Sequence, residues 1–268
     1  MNQQNRLPIF QVDAFVTDKA FSGNPAAVCL LTAPQSAEWM QAVAGEMNLS
    51  ETAFVCACDD GFELRWFTPT MEVDLCGHAT LAAAHVLWEQ HILTLGTTVR
   101  FHTKSGCLQA KQSADWIELD FPAQPVEVTK VPEALLLALG IEQATVYRNR
   151  EDYLVAVATE AEVRALIPDF SRLKTVDMRG VMVTAISDDS SSDFTSRFFA
   201  PAVGIDEDPV TGSAHCALYP FWSERLNKTE MTAFQASKRG GLLKLRGQGG
   251  RVMLSGQTLT VMSGELYV

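Results

Sequence analysis

The sequence predicts an α+β fold built from two similar domains. The first observation behind this prediction is an internal repeat: RWFTP at residues 65–69 returns as RFFAP at residues 197–201. Each copy is followed by an acidic stretch and then by a glycine that opens a helix of small residues, Gly77 in the first copy and Gly212 in the second. The offset is about half of the 268 residues, which indicates two domains because solenoid repeats are several-fold shorter.

The second observation is that many short strand patterns are interleaved with few helical ones. This arrangement is typical of an α+β fold and not of repeated βαβ units. The best junction between domains is FPAQP at residues 121–125, where two prolines end a strand pattern before a new helix pattern begins. We therefore predict an N-terminal domain over residues 1–122 and a C-terminal domain over residues 123–268, whose last strand could pack back on the first domain.

The elements of the first half follow from hydrophobic periodicity and turn signals. Ser36 is placed to cap a helix that ends near residue 47. A second helix, from His78 to about residue 90, is rich in alanine, and a sheet can wrap closely around such small side chains, so we predict that it lies centrally. Strands are predicted at residues 9–15, 26–31, 51–57, 62–67, 97–103, 107–112 and 116–121.

The second half repeats this pattern. A helix is predicted from about residue 132 to Leu139, and the repeated helix from Ser213 to about Leu226. Pro220 lies inside that second helix, and because proline has no backbone donor we expect it to kink the helix or to end its first half. Strands are predicted near residues 153–158, 181–186 and 197–199, with hairpins to the C-terminus.

The composition excludes several classes of function. With 47% hydrophobic and 20% charged residues the chain is globular, and its net charge of −11 argues against a nucleic-acid ligand. No apolar run reaches the roughly 18 residues of a membrane helix, and the first residues lack the apolar core of a signal peptide. We therefore expect a cytoplasmic protein with six free cysteines. No glycine-rich phosphate loop or dinucleotide fingerprint is present, so no organic cofactor is expected.

One candidate cluster is Cys76-Gly77-His78 at the start of the alanine-rich helix. The positive end of a helix dipole favours the thiolate form of a cysteine placed there, and His78 is positioned to contact a ligand bound at this terminus. The simpler alternative is that His78 only begins the helix and that Cys76 only fills space.

A second cluster surrounds the start of the repeated helix. The hydroxyl of Thr211 and the amides of Gly212 and Ser213 are donors for a carboxylate or phosphate. Asp208 lies just before them, and with two neighbouring acids it could instead bind a metal or simply form a turn. We predict no metal, because the spacing is not that of a calcium loop and the donors favour an anion.

A third candidate is Glu51, at the transition from a helix to a strand. A partly desolvated carboxylate there is a candidate base for removing a proton from carbon. The alternative is an ordinary surface glutamate.

Six motifs, in their order along the chain, resemble those of the phenazine-biosynthesis PhzF-like family of isomerases. They are DAF at 13–15, FSGNPA at 21–26, MNLSET at 47–52, FTP at 67–69, GHAT at 77–80 and DPVTGSA at 208–214. The resemblance implies a diaminopimelate-epimerase-like fold, in which each of two similar domains is a curved, mainly antiparallel sheet wrapped around a central helix. It also implies an active site in the cleft between the domains, a homodimer and no cofactor.

The resemblance also implies roles for individual residues. In the family, the glutamate of the Leu-Ser-Glu motif moves a proton between carbons of the substrate, and here that residue is Glu51. His78 and Asp208 correspond to residues that bind and polarise the substrate. The remaining substrate contacts of the family correspond to Asn24, Gly77, Gly212 and Ser213.

Cys76 departs from the pattern of the phenazine-pathway members and is similar to amino-acid epimerases of this fold. Those enzymes need a second cysteine from the other domain, and the equivalent position here is Asp208. Cys216 is over two helical turns further on and cannot replace it. Proton transfer led by Glu51, or shared by Cys76 and Asp208, therefore stays open.

The leading hypothesis is a cofactor-independent isomerase acting on a small carboxylate. One alternative is a non-catalytic module that binds a small molecule or a protein, because a fold does not guarantee activity. Another is thiol chemistry at Cys76, which lacks a base unless His78 reaches its sulfur.

Overall fold

The computed structural model describes residues 6–267. The strands are β1 (Arg6–Ala14), β2 (Asn24–Leu31), β3 (Glu51–Cys58), β4 (Gly61–Phe67), β5 (Glu72–Val73), β6 (Val99–Thr103), β7 (Gly106–Ser113), β8 (Trp116–Pro122), β9 (Glu127–Val128), β10 (Thr145–Arg148), β11 (Asp152–Ala156), β12 (Gly180–Ile186), β13 (Phe194–Ala200), β14 (Ile205–Asp208), β15 (Glu230–Gln235), β16 (Gly241–Gln248), β17 (Arg251–Gly256) and β18 (Thr258–Tyr267). The helices are α1 (Ala37–Met47), α2 (Gly77–Glu89), α3 (Glu133–Leu139), α4 (Glu160–Ala165), α5 (Phe170–Leu173) and α6 (Gly212–Leu226), with a 3₁₀ helix at Pro201–Val203.

The chain divides into two compact units. Unit 1 contains the residues up to Asp120 together with the segment from Ser255 onward, and unit 2 runs from Phe121 to Leu254. The first change of unit lies two residues before the predicted junction at 122/123. The C-terminal strand β18 belongs to unit 1, where it pairs antiparallel with β1. Since β1 also pairs with β2, β18 gives this strand a partner on its second side.

The two units repeat the same strand connections. In unit 1, β2 is parallel to β3, β3 is antiparallel to β4, and β4 is parallel to β6. In unit 2, β11 is parallel to β12, β12 is antiparallel to β13, and β13 is parallel to β15. The α+β prediction with two similar halves is therefore confirmed at the level of topology.

One helix forms the centre of each unit. In α2, ten of the 13 residues are buried, and the helix contacts β1, β2 and β3 of its own unit. Its alanines allow this close approach, as predicted. Helix α6 contacts β15 and β16 in unit 2. No helix within the described part of the chain is long and apolar enough to cross a membrane.

The sequence repeat encodes the same arginine clamp in both units. Arg65 on β4 donates two hydrogen bonds to the Glu72 carboxylate on β5, at 2.8 and 3.0 Å. Arg197 on β13 does the same with Glu207 on β14, at 2.6 and 3.0 Å. Each guanidinium also lies over the phenylalanine two residues later. The acidic stretch after each repeat therefore supplies the carboxylate that pairs with the arginine. This ion pair joins the short strand β5 to β4 in unit 1 and β14 to β13 in unit 2.

The two clamps differ in burial, which predicts unequal contributions to stability. The Arg197 side chain is 11% exposed and also donates to the Leu166 carbonyl at 2.8 Å, whereas the Arg65 side chain is 31% exposed. We expect Arg197→Ala to lower the free energy of unfolding by about 3 kcal/mol and Arg65→Ala by about 1 kcal/mol. Urea unfolding of both variants measures the difference, and equal losses would contradict the assignment.

Pro220 does not end its helix, so that part of the expectation is wrong. Helix α6 continues from Gly212 to Leu226 with the proline inside it. The missing donor would have bonded the carbonyl of Cys216, four residues earlier. That carbonyl instead accepts a hydrogen bond from the backbone N–H of Gln124 at 2.9 Å. The chain near the predicted domain junction therefore replaces the hydrogen bond that the proline removes.

Candidate active site

The structure brings two of the three predicted clusters together in unit 1. Glu51 is the first residue of β3, Cys76 is the N-cap of α2, and His78 is the second residue of that helix. All three side chains are buried. One ligating atom from each lies within 4.8 Å of the others. The reading of Glu51 as a surface glutamate is therefore wrong, because the first position of β3 faces the start of α2.

The imidazole of His78 lies between the other two side chains. Its Nε2 is 3.1 Å from Oε2 of Glu51, a close contact whose alignment is not that of a hydrogen bond. Its Nδ1 is 3.5 Å from Sγ of Cys76 and 3.3 Å from Nδ2 of Asn24. The hydroxyl of Ser50 donates to Oδ1 of Asn24 at 3.0 Å. His78 does reach the sulfur, and Ser50 is a supporting residue that the sequence analysis did not identify.

Burial and charge set the protonation of this cluster. Burial raises the pKa of Cys76, and the nearby Glu51 raises it further. The thiolate that the helix dipole predicted is therefore not favoured, because desolvation of the anion outweighs the dipole. Burial lowers the pKa of His78, but the negative charges available on Cys76 and Glu51 outweigh it, and the net shift is well upward. The protonated form of His78 is therefore favoured by negative charge on the two side chains beside it.

In unit 2, Asp208 and Thr211 form a closed hydrogen-bond network. The Thr211 hydroxyl donates to Oδ2 of Asp208 at 2.6 Å. Gln235 accepts from the Thr211 amide at 2.9 Å and donates to the Asp208 carbonyl at 2.8 Å. The Thr211 hydroxyl is thus donated to Asp208 in this structure, and its contact with a substrate stays a prediction. Gln235 carried no sequence signal.

Two of the acids in the Asp208 loop have partners within the described part of the chain. Glu207 is paired with Arg197 and Asp208 accepts from Thr211. Within residues 6–267, the group of metal-ligating side chains that stands out is that of Glu51, Cys76 and His78.

Beside the start of α6 lies an arginine that the sequence analysis missed. Arg179 directly precedes β12, as Ser50 directly precedes β3. It forms a two-point ion pair with the buried Asp152, and Nη2 donates to the Ser213 hydroxyl at 3.2 Å. Burial raises the pKa of Asp152, and Arg179 opposes that rise. In the first turn of α6, Ser213 therefore accepts a hydrogen bond from the cationic Arg179. In the first turn of α2, His78 instead lies beside the acid Glu51.

His215, one turn into α6, predicts a loss of stability in acid. Its side chain is fully buried, its ring stacks on Phe194, and burial lowers its pKa to about 4. In the unfolded chain the same imidazole binds a proton near pH 6.5. The stability that the neutral, buried His215 contributes is therefore fully present above pH 6.5 and is lost as the pH falls toward 4. We expect the free energy of unfolding to fall by about 3 kcal/mol between these limits. Urea unfolding at pH 7 and at pH 4.5 measures most of this change. An equal acid loss in His215→Gln would contradict the assignment.

Comparison with known proteins agrees with this architecture. The family described as phenazine biosynthesis-like protein matches residues 12–264. A protein of Halalkalibacterium halodurans named an uncharacterized isomerase is 55% identical over 97% of this chain and 98% of its own length. The crystal structure of a PhzF family phenazine biosynthesis protein from Enterococcus faecalis has a TM-score of 0.93 at 41% identity, covering 98% of this chain and 100% of that chain.

A more distant likeness concerns the fold alone. A hydroxyproline epimerase from Agrobacterium vitis has a TM-score of 0.67 at 10% identity, covering 100% of this chain and 94% of that chain. The predicted epimerase-like fold is thus confirmed, and so is the resemblance drawn from the six motifs. The chain belongs to the phenazine biosynthesis-like protein family.

Proposed function

We propose that this protein is a cofactor-independent isomerase that moves a proton between carbon atoms of a small carboxylate substrate, with Glu51 as general acid and base. The observation that supports this best is the buried Glu51 carboxylate 3.1 Å from His78 at the start of α2. The family relationship adds support, because similar relatives are named isomerases.

The proposed reaction has two proton transfers. A carboxylate oxygen of Glu51 takes a proton from one substrate carbon, and the electron pair of the broken C–H bond stays on the substrate and spreads toward its carboxylate. Glu51 then returns a proton to a second carbon, which restores its own carboxylate. The positive charge on His78 offsets negative charge as it develops beside it. A general acid and base of this kind contributes roughly 10²- to 10⁴-fold to the rate.

In each unit, the first turn of the central helix offers amide groups that could hold a carboxylate. Backbone amides in the first turn of a helix have no partner within the helix, so the amides of Gly77, Gly212 and Ser213 are donors for a carboxylate. We retain the substrate contact that the resemblance implies for Asn24, whose side-chain amide lies 3.3 Å from Nδ1 of His78. Asp208 is the proposed polarising group in unit 2. Cys76 is assigned to the wall of the site, since its buried thiol is a poor nucleophile.

We also retain the homodimer as a proposal, which sedimentation equilibrium would test.

Proton NMR in heavy water tests the proposed activity. Cyclohexadiene acids, amino acids, hydroxy acids and related amines are incubated with the protein, and deuterium is expected at one carbon of the true substrate class. The amines act as controls for the requirement of a carboxylate. If a ligand binds, as shown by line broadening, yet exchanges no proton, the protein is a binding module and the proposal fails.

A further inference from the structure

Glu51, Cys76 and His78 supply a carboxylate, a thiol and an imidazole, which are the three kinds of side chain that bind zinc in proteins. We propose that this cluster binds Zn²⁺, and that bound zinc inhibits the protein by occupying Glu51. The binding site stands on the geometry alone. The inhibition rests on the proposed function, because it requires Glu51 to be the base.

The separation of two donors already suits a tetrahedral ion. Zinc holds a sulfur at about 2.3 Å and a nitrogen at about 2.0–2.1 Å, which places two such ligand atoms roughly 3.5 Å apart at a tetrahedral angle. Cys76 Sγ and His78 Nδ1 are 3.5 Å apart. Glu51 contacts the other ring nitrogen in this structure, but one of its carboxylate oxygens lies within 4.8 Å of a donor atom of each of the other two residues. To complete the site, its side chain would have to turn toward the ion.

The cluster also contains polar atoms that lack a hydrogen bond. Among the described residues, Oε2 of Glu51 and Nε2 of His78 are buried side-chain atoms without such a partner. Burying a polar atom in this way costs free energy. Zn²⁺ would take over the compensation of Oε2 that His78 at 3.1 Å gives when charged. Binding would release two protons to the solvent, that of the Cys76 thiol and that on Nδ1 of a charged His78.

The number of ligands indicates an exchangeable ion. Structural zinc sites have four protein ligands, whereas sites with three leave one position for water or another small ligand. A site with three protein ligands therefore suits an exchangeable ion and not a structural one. Zinc at this site would instead exclude substrate from Glu51, and removing it with a chelator would restore the base.

Cobalt(II) is the spectroscopic probe for this site, because it takes the tetrahedral geometry of zinc and has visible bands. The full-length protein is treated with chelator, reduced and titrated with Co²⁺, and then with Zn²⁺. We expect one equivalent of Co²⁺ to produce a thiolate charge-transfer band, which Zn²⁺ abolishes. Cys76→Ala should remove the band and weaken Zn²⁺ binding at least about 100-fold.

Matched controls separate this site from other thiols. Cys58 and Cys107 are exposed free cysteines outside the cluster, and Cys58→Ser and Cys107→Ser should bind both metals as the wild type does. Glu51→Gln, which keeps the side-chain volume, should weaken Zn²⁺ binding while keeping the charge-transfer band, and it replaces Cys76→Ala as the test if that variant misfolds. Wild-type protein that gives no charge-transfer band, or a Cys76→Ala variant that binds Zn²⁺ unchanged, would overturn the site.

The two proposals fail in different ways. Metal binding that depends on Cys76, without proton exchange on any carboxylate, supports the zinc site and removes the proposed function. Proton exchange that Zn²⁺ does not inhibit removes the inhibitory role.

Discussion

Replacing Glu51 by glutamine is expected to slow deuterium exchange into the substrate by roughly 10²- to 10⁴-fold. The amide has nearly the same shape as the carboxylate but cannot accept a proton from carbon. Its neighbours on β3 and α2 are buried and need not move, so the fold should be retained. The rate is measured by proton NMR in heavy water with the substrate found in the panel, and circular dichroism checks the fold.

A matched variant shows whether the effect belongs to this site. Glu63 on β4 is exposed, and Glu63→Gln makes the same chemical change on the surface of the same unit. Its exchange rate should equal that of the wild type. Turnover of Glu51→Gln within tenfold of the wild type would remove Glu51 from the role of base.

Replacing Arg179 by glutamine is expected to cause the largest loss of stability, about 3–5 kcal/mol. The variant leaves Asp152, whose side chain is 1% exposed, without the cation that compensates its burial. Removing one partner of a buried ion pair is more harmful than removing both, because the remaining charge has lost both water and its counter-ion. Urea unfolding at pH 7 measures the change in the free energy of unfolding.

Replacing Asp152, the other partner of this ion pair, should lower the free energy of unfolding less. The Arg179 side chain is 33% exposed, and Asp152→Asn leaves it with Glu151 at 3.4 Å. We expect Asp152→Asn to lower the free energy of unfolding by about 1–3 kcal/mol. The double variant should be less unstable than the sum of the two single variants. A loss of under about 1 kcal/mol for Arg179→Gln, or the reverse order of the two variants, would refute this account.

Local signals predicted the elements whose causes are local. Ser36 accepts a hydrogen bond from the amide of Trp39 as an N-cap should, and the alanines of α2 predicted a central helix. By contrast, α4 and α5 have only six and four residues, which is too short for a helical period to be visible. The continuity of α6 through Pro220 depends on Gln124, and no local pattern connects those two residues.

The candidate site was predictable in its parts but not in its arrangement. Motifs identified Glu51 and His78 separately, yet their contact depends on β3 beginning next to α2. The pairing of Arg179 with Asp152 and the network of Gln235 join residues more than 20 positions apart, with no motif to mark them. The sequence left two alternatives for Cys76, because the helix dipole is visible in a sequence and favours a thiolate, whereas the burial that raises its pKa is not.

The pairing of β1 with β18 has a consequence for synthesis on the ribosome. Arg6 is opposite Tyr267 in this ladder, so β1 waits for this partner until synthesis has proceeded from residue 6 to residue 267. At about 5–20 residues per second, the interval is on the order of 10–50 s. During that time one edge of β1 has no partner, and an open strand edge invites association with other chains. Nascent protein should therefore depend on chaperones until β18 has been synthesised.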